Sequence, residues 1–281
     1  MSIITCPNCK TVLVREDKMY RCINAHSFDI SKQGYINLLL SNQKKKQSPG
    51  DNKAMITARD LFLHTGHYDF LIDHIDRTSA SLELMTSDPS KPHHLLDIGC
   101  GTGYYTRHLL NKYDLIKTGL DISKDGVTKA SKKDKDSTYL VGSAFNLPIA
   151  DNSTDIILNI FSPIDLKEVN RVLKTDGVFI KVIPYGNHMK EVAALVYDSF
   201  IPHTSTIETD LDNDTSFTII DSQQIEKTLT LVDPDIQNLI SMTPYLYKFK
   251  QEDLEQLKEL TVSISFRVIM ARTSVIATNK D

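Results

Sequence analysis

From residue 93 onward, apolar residues gather in short blocks that alternate with segments of helical spacing. HHLLDIGC, IKTGLDIS, TYLVGSA, DIILNIFS and VFIKVIP are the near-continuous apolar runs that strands covered on both faces require. Between them YYTRHLLNKY, KDGVTKASKKD and DLKEVNRVLK read as helices, and TDG reads as a tight turn into the last of these strands. This order, with short connections, predicts an α/β fold whose mostly parallel, doubly wound sheet carries helices on both faces. After residue 187 the pattern loosens. KEVAALVYDSF reads as a helix, the acidic ETDLDND (208–214) as a loop, QEDLEQLKEL as an amphipathic helix and TVSISFRVIMA as a late antiparallel strand.

Two regions precede this alternation. Residues 1–40 hold short strand-like runs (KTVLV, MYRC, FDISKQGYINLLL) around cysteines and a histidine. Residues 41–92 form a connector. It begins with the polar, basic stretch 43–53, QKKKQSPGDNK, and continues with a helix over NKAMITARDLFLHTGHY, in which Met55, Ala58, Leu61 and Phe62 recur at helical spacing. A second helical piece, DFLIDHIDRTSASLELM, ends at SDPSKP, and residues 93–281 then form the α/β domain.

Composition narrows the class. Hydrophobic residues make up 41% of the 281 and charged residues 24%, enough apolar material for a sizeable core. No apolar run approaches the roughly eighteen residues needed to span a bilayer, and MSIITCPNCK lacks the basic-then-apolar pattern of a signal peptide, so a cytoplasmic protein without a membrane partner is expected. The net charge of −4 excludes a generally basic nucleic-acid binder, yet the lysines of 43–53 permit a local phosphate-binding surface.

Three of the four cysteines lie in CPNCKTVLVREDKMYRCINAHSF. In a reducing compartment such a cluster reads as metal ligands rather than as disulfides. Cys6, Cys9, Cys22 and His26 follow C-x2-C-x12-C-x3-H, two close pairs that close a tetrahedron around Zn2+. With all four positions filled by protein, the zinc would be structural. The alternative is buried free thiols beside a surface histidine. Cys100 needs no role beyond packing.

LLDIGCGTGYY supplies the second site: a strand running into D-x-G-x-G-x-G and then a helix. Glycines at a βα turn let the backbone approach a ligand closely, and the helix start offers free N–H groups. The third glycine comes one residue too early for the dinucleotide G-x-G-x-x-G. The shorter motif with its preceding acid resembles motif I of class I S-adenosylmethionine-dependent methyltransferases. That resemblance implies that Asp97, Gly99, Gly101, Thr102 and Gly103 line the amino-acid and ribose part of the cofactor. It also implies that Asp121, at the end of the next strand in TGLDIS, accepts hydrogen bonds from the ribose hydroxyls. Ser143 and Ala144 in GSAFNLPIAD would meet the adenine edge, and Phe161-Ser162-Pro163 would stand nearest the transferred methyl; both segments also read as ordinary loops.

The order of zinc ribbon, basic linker and methyltransferase domain resembles one family, the large-subunit ribosomal RNA guanine-N1 methyltransferases. GYINLL, SPGD before a helix, GHY (66–68), DIGCGTGYYT, GLDIS and MTPYLYK (242–248) carry the resemblance over most of the chain, most weakly at 200–240. It implies methylation of N1 of a guanine in a hairpin loop of large-subunit rRNA, cofactor contacts from Tyr68 and His188, and a homodimer. FSP departs from the more aromatic triplet of some members. Asp165 and Glu168 lie near enough to the FSP segment to be weighed as a base, but also read as solvated carboxylates at a helix start, so no catalytic base is assigned. Two other readings remain open: a class I methyltransferase acting on a small molecule, and a non-catalytic RNA- or ribosome-binding protein retaining the fold.

Overall fold

Eleven strands, nine α-helices and a short 3-10 helix (Pro244–Lys248) are found in the described part of the computed structural model, residues 2–41, 52–83 and 93–273. Residues 43–51 of the basic stretch, including SPGD, and residues 84–92, which hold SDPSKP, lie outside it. In the N-terminal module β1 (Val14–Glu16), β2 (Met19–Arg21) and β3 (Ser27–Asp29) form a small antiparallel sheet. The next strand, β4 (Ile36–Asn37), leaves that sheet and pairs in parallel with the edge of the main one.

Helix α1 (Lys53–Leu63) starts where the Asn52 side chain accepts a hydrogen bond from the Met55 N–H. Met55, Ala58 and Phe62 are buried as their spacing predicts, but Leu61 is 54% exposed, because the stripe turns away from the core there. Helix α2 (Asp69–Ser81) follows. The expected alternation then appears as β5 (His93–Ile98), α3 (Tyr104–His108), β6 (Leu115–Asp121), α4 (Lys124–Lys133), β7 (Thr138–Val141), β8 (Thr154–Ile160), α5 (Leu166–Val172) and β9 (Leu173–Pro184).

Beyond this come α6 (Lys190–Ala194), α7 (Ile207–Asn213), β10 (Phe217–Val232), α8 (Asp235–Ser241), α9 (Gln251–Gln256) and β11 (Glu259–Thr273). Two expectations are corrected here. The acidic segment is a helical turn, α7, rather than a loop, and it buries Leu211. The sixteen-residue strand β10 was not legible: as an edge strand packed on one side only, it buries few of its residues and shows little apolar alternation.

The main sheet has the order β10-β11-β9-β8-β5-β6-β7-β4, parallel from β9 to β4 and antiparallel at β10 and β11. One face is covered by a core containing Phe62, Leu71, Ile75, Ile236 and Leu239 from α1, α2 and α8. The opposite face packs Ile3, Ile4, Leu13, Tyr20 and Cys22 of the N-terminal module together with Val169 and Val172 of α5. Chain order reverses beside β5, whose neighbours are β6 and β8, so a crevice opens at the carboxyl ends of these strands.

Candidate functional site

At that crevice a cavity of about 410 Å³ is lined by residues from several of the predicted segments. Gly99, Gly101 and Thr102 follow β5, Asp121 ends β6, Ser143 and Ala144 follow β7, and Phe161, Ser162 and Pro163 follow β8. Tyr68, at the start of α2, closes the outer side. Three predicted residues are not in the lining. Asp97 is buried beneath the turn and accepts a 2.5 Å hydrogen bond from the Thr106 hydroxyl; burial raises its carboxyl to about 7. Gly103 faces inward, where an added Cβ would lie 2.6 Å from the Tyr139 hydroxyl and 2.9 Å from the Ala130 Cβ. His188 accepts from the Ser265 N–H at 3.3 Å, and burial, reinforced by His203, pushes its imidazole down to about 3. Phe266 lies between His188, with ring centroids 5.1 Å apart, and Phe161, 4.8 Å apart.

The Asp121 carboxylate does more than end a strand. One oxygen accepts from the Gly101 N–H at 2.9 Å and the other from the Ser123 N–H at 2.7 Å, which locks the glycine turn onto β6. The glycines of the turn serve different needs. Gly99 has φ +81°, and a Cβ there would lie 2.0 Å from the Ser162 hydroxyl, whereas Gly101 has φ +54° and a Cβ would meet nothing within 4 Å. Gly99 is thus required by packing and Gly101 by open space on the cavity side. The buried Thr102 and Tyr105 hydroxyls, both in the lining, have no hydrogen-bond partner among the described residues. A cradle with room above a glycine, orphaned hydroxyls and a carboxylate at the next strand end fits S-adenosylmethionine.

The two glycines can be separated by experiment. Gly99→Ala should lower stability in urea denaturation by about 2–4 kcal/mol, through left-handed strain and collision with a pinned serine. Gly101→Ala should lower stability by only about 1–2 kcal/mol, yet cofactor affinity, read by calorimetry, should fall at least about tenfold. Equal stability losses in the two variants would contradict this division.

Several lining residues had no sequence assignment: Arg59, Tyr104, Tyr105, Phe145 and Met242. Tyr104 and Tyr105 stand directly after the third glycine, a signal that was present in GYY. Arg59 donates to the Met242 carbonyl at 3.0 Å and so joins α1 to the MTP segment. No spacing rule announces that contact, between residues 183 positions apart. Asp165 and Glu168 are outside the lining. Asp165 caps α5, and Glu168 accepts from the Leu147 N–H at 2.6 Å and pairs with Arg171 at 2.8 Å.

The second cluster lies in the N-terminal module. The donor atoms of Cys6, Cys9, Cys22 and His26 all fall within 4.8 Å of one another. His26 Nδ1 is 3.6 Å from the Cys6 sulfur and 3.5 Å from those of Cys9 and Cys22, and the Cys9 and Cys22 sulfurs are 3.7 Å apart. A tetrahedron with metal–sulfur bonds of about 2.3 Å and a metal–nitrogen bond of about 2.0 Å has edges of about 3.8 Å and 3.5 Å. These four distances match the edges of a zinc tetrahedron. Both knuckles turn through left-handed residues, Lys10 and Ala25. Hydrogen bonding, first from Thr11 and then from Asn24, lowers the Cys9 thiol to about 5, which favours the thiolate that metal binding needs.

Fold and sites together define a class I S-adenosylmethionine-dependent methyltransferase carrying a structural zinc ribbon. Residues 4–47 match the RlmA N-terminal zinc-ribbon family and residues 96–181 a methyltransferase-domain family. YxjB of Bacillus subtilis strain 168, which bears a 23S rRNA (guanine-N1)-methyltransferase name, is 31% identical over 273 residues, 92% of each chain. A 23S rRNA (guanine(748)-N(1))-methyltransferase of Streptomyces fradiae is 27% identical over 287 residues, 94% of this chain and 95% of that one. The chain belongs to the 23S rRNA (guanine-N1)-methyltransferase family. Among the described residues, no helix is long and apolar enough to cross a membrane.

Proposed function

We propose that this protein methylates N1 of a guanine in a hairpin loop of large-subunit rRNA. The observation that carries the reading is one chain joining a Cys3His cluster to a strand-end cavity built on D-x-G-x-G-x-G, in a sequence similar over 92–95% of the length of relatives named for this activity. In this reading Gly101 and Thr102 hold the amino-acid part of the cofactor, Asp121 the ribose hydroxyls, Ser143 and Ala144 the adenine edge, and Tyr68 the outer side. Asp97, Gly103 and His188 support these contacts from behind the cavity wall. When bound, S-adenosylmethionine supplies an activated methyl group on a sulfonium centre, which N1 accepts as its proton leaves.

The remaining task of the protein is placement. The Phe161-Ser162-Pro163 turn and Tyr68 would hold the base against the cofactor side of the cavity, where proximity and orientation supply most of the acceleration. Among the described residues of the lining, Asp121 is the only carboxylate and none is a histidine. No side chain is assigned as base, and the N1 proton released in the reaction ends in solvent. A hairpin loop presents its guanine unstacked, and the zinc module would grip RNA shape and phosphate while the cavity reads one base. The family resemblance also supports a homodimer, in which two zinc modules face one RNA.

Incubating the protein with S-adenosylmethionine and unmodified large-subunit rRNA should yield 1-methylguanosine after digestion, detected by mass spectrometry. Binding of the cofactor with no 1-methylguanosine would overturn the reading. Methylation of small acceptors without RNA would move the reaction to another substrate class.

A further inference from the structure

Lys181 lies in the middle of the sheet, 5% exposed, at the register position beside Asn159, which is fully buried. Its ammonium donates to the Asn159 side-chain oxygen and, at 2.6 Å, to the Ser162 main-chain carbonyl. No carboxylate pairs with it among the described residues, and burial alone lowers its pKa to about 8. An ammonium in such a place is expensive, and an apolar side chain of similar length would fill the slot at less expense. Its donors must therefore be judged by what they hold.

What they hold is the turn that follows β8. Phe161 has φ +57°, a left-handed conformation that a bulky aromatic adopts only when its surroundings impose it. On one side its N–H is fixed to the Val182 carbonyl at 3.0 Å. On the other side the next carbonyl, that of Ser162, is fixed by Lys181. Asn159 completes the frame: its amide donates to the Ile98 carbonyl at 2.8 Å and to the Ser162 hydroxyl at 2.7 Å, and that hydroxyl in turn reaches the Ile98 carbonyl at 3.1 Å. The serine packs where a side chain on Gly99 would stand. One polar frame thus joins β5, β8 and β9 and couples the cofactor turn to the Phe161–Pro163 turn.

We propose that Lys181 is the positioning residue of the acceptor site, holding the strained Phe161–Pro163 turn where the target guanine must meet the methyl group. The proposal rests on the functional reading above, in which this turn faces the acceptor. Lys181 touches neither substrate nor cofactor; it acts through Ser162 and Asn159. Displacing an acceptor-side turn by about 1 Å can lower turnover about a hundredfold.

The test compares wild type with Lys181→Met and Lys181→Gln in the 1-methylguanosine assay, with cofactor binding measured by calorimetry. Lys181→Met keeps the length and removes the donors; its kcat should fall about a hundredfold while cofactor affinity stays at the wild-type value. Lys181→Gln keeps one donor group for the Ser162 carbonyl and should recover an intermediate kcat, a rescue that bulk packing alone would not produce. A Lys181→Met protein with wild-type kcat would overturn the proposal. So would a parallel loss of kcat and cofactor affinity. If Lys181→Met does not fold, Lys181→Gln decides: lowered kcat with unchanged cofactor affinity supports the proposal, and unchanged kcat overturns it. A wild type that produces no 1-methylguanosine overturns the functional reading and this inference with it.

Discussion

Replacing Asp121 by alanine should lower S-adenosylmethionine affinity by at least about a hundredfold while leaving the zinc content at one per chain. Two effects add. The carboxylate would lose its hydrogen bonds with the ribose hydroxyls, and charge-assisted bonds are each worth about 1.5–3 kcal/mol. The same change releases the Gly101 and Ser123 N–H groups, now held at 2.9 and 2.7 Å, so the glycine turn loses its anchor on β6. Since about 1.4 kcal/mol corresponds to a factor of ten, the combined loss exceeds two decades. Titration calorimetry, with metal analysis of the same sample, reads both halves of the expectation. Asp121→Asn keeps one acceptor oxygen and should fall between the two. Unchanged affinity in Asp121→Ala would remove this carboxylate from the cofactor site.

Removing zinc should have the opposite signature: cofactor binding retained, rRNA methylation reduced at least about a hundredfold. The β1–β3 sheet has three residues in each strand, and metal binding supplies on the order of 10–16 kcal/mol to modules of this kind. Without it, the knuckles at Lys10 and Ala25 lose what holds their left-handed turns. The damage should stop at a definite boundary. β4 is hydrogen-bonded to β7, and Ile4 is bridged to Ile149, so these segments belong to the main sheet and should stay protected. Hydrogen exchange on chelated protein should show rapid exchange across residues 9–29 and slow exchange in β5, β6 and β8. Chelated protein that methylates rRNA at the wild-type rate would show that the module is not needed for recognition.

Much of this architecture was legible beforehand, for particular reasons. The strands β5, β8 and β9 each hold a run of consecutive buried positions and so read as near-continuous apolar blocks. The zinc ligands were legible because local spacing alone decides whether two knuckles meet. The acidic residue that ends β6 was legible because a parallel crossover returns each strand end to the same edge of the sheet. Strand β10 was not, since an edge strand with one packed face carries a weak alternation. Leu61 in α1 keeps the helical spacing yet stands exposed, because such spacing gives the width of an apolar stripe and not which of its margins meets the core.

The sequence by itself determined the alternation of strands and helices from β5 to β9, the four metal ligands and the identity of the glycine turn, because each depends on residues close together along the chain. Only the tertiary structure decided which of the motif residues face the cavity. It turned Asp97 and Gly103 inward, set His188 behind Phe266, and brought Arg59 and Met242 to the opening. It also placed Lys181 against Ser162, since a strand's period of two does not say which buried side chain will lie under a turn on its neighbour. Those contacts depend on sheet order and strand register, which are settled when the whole core packs at once.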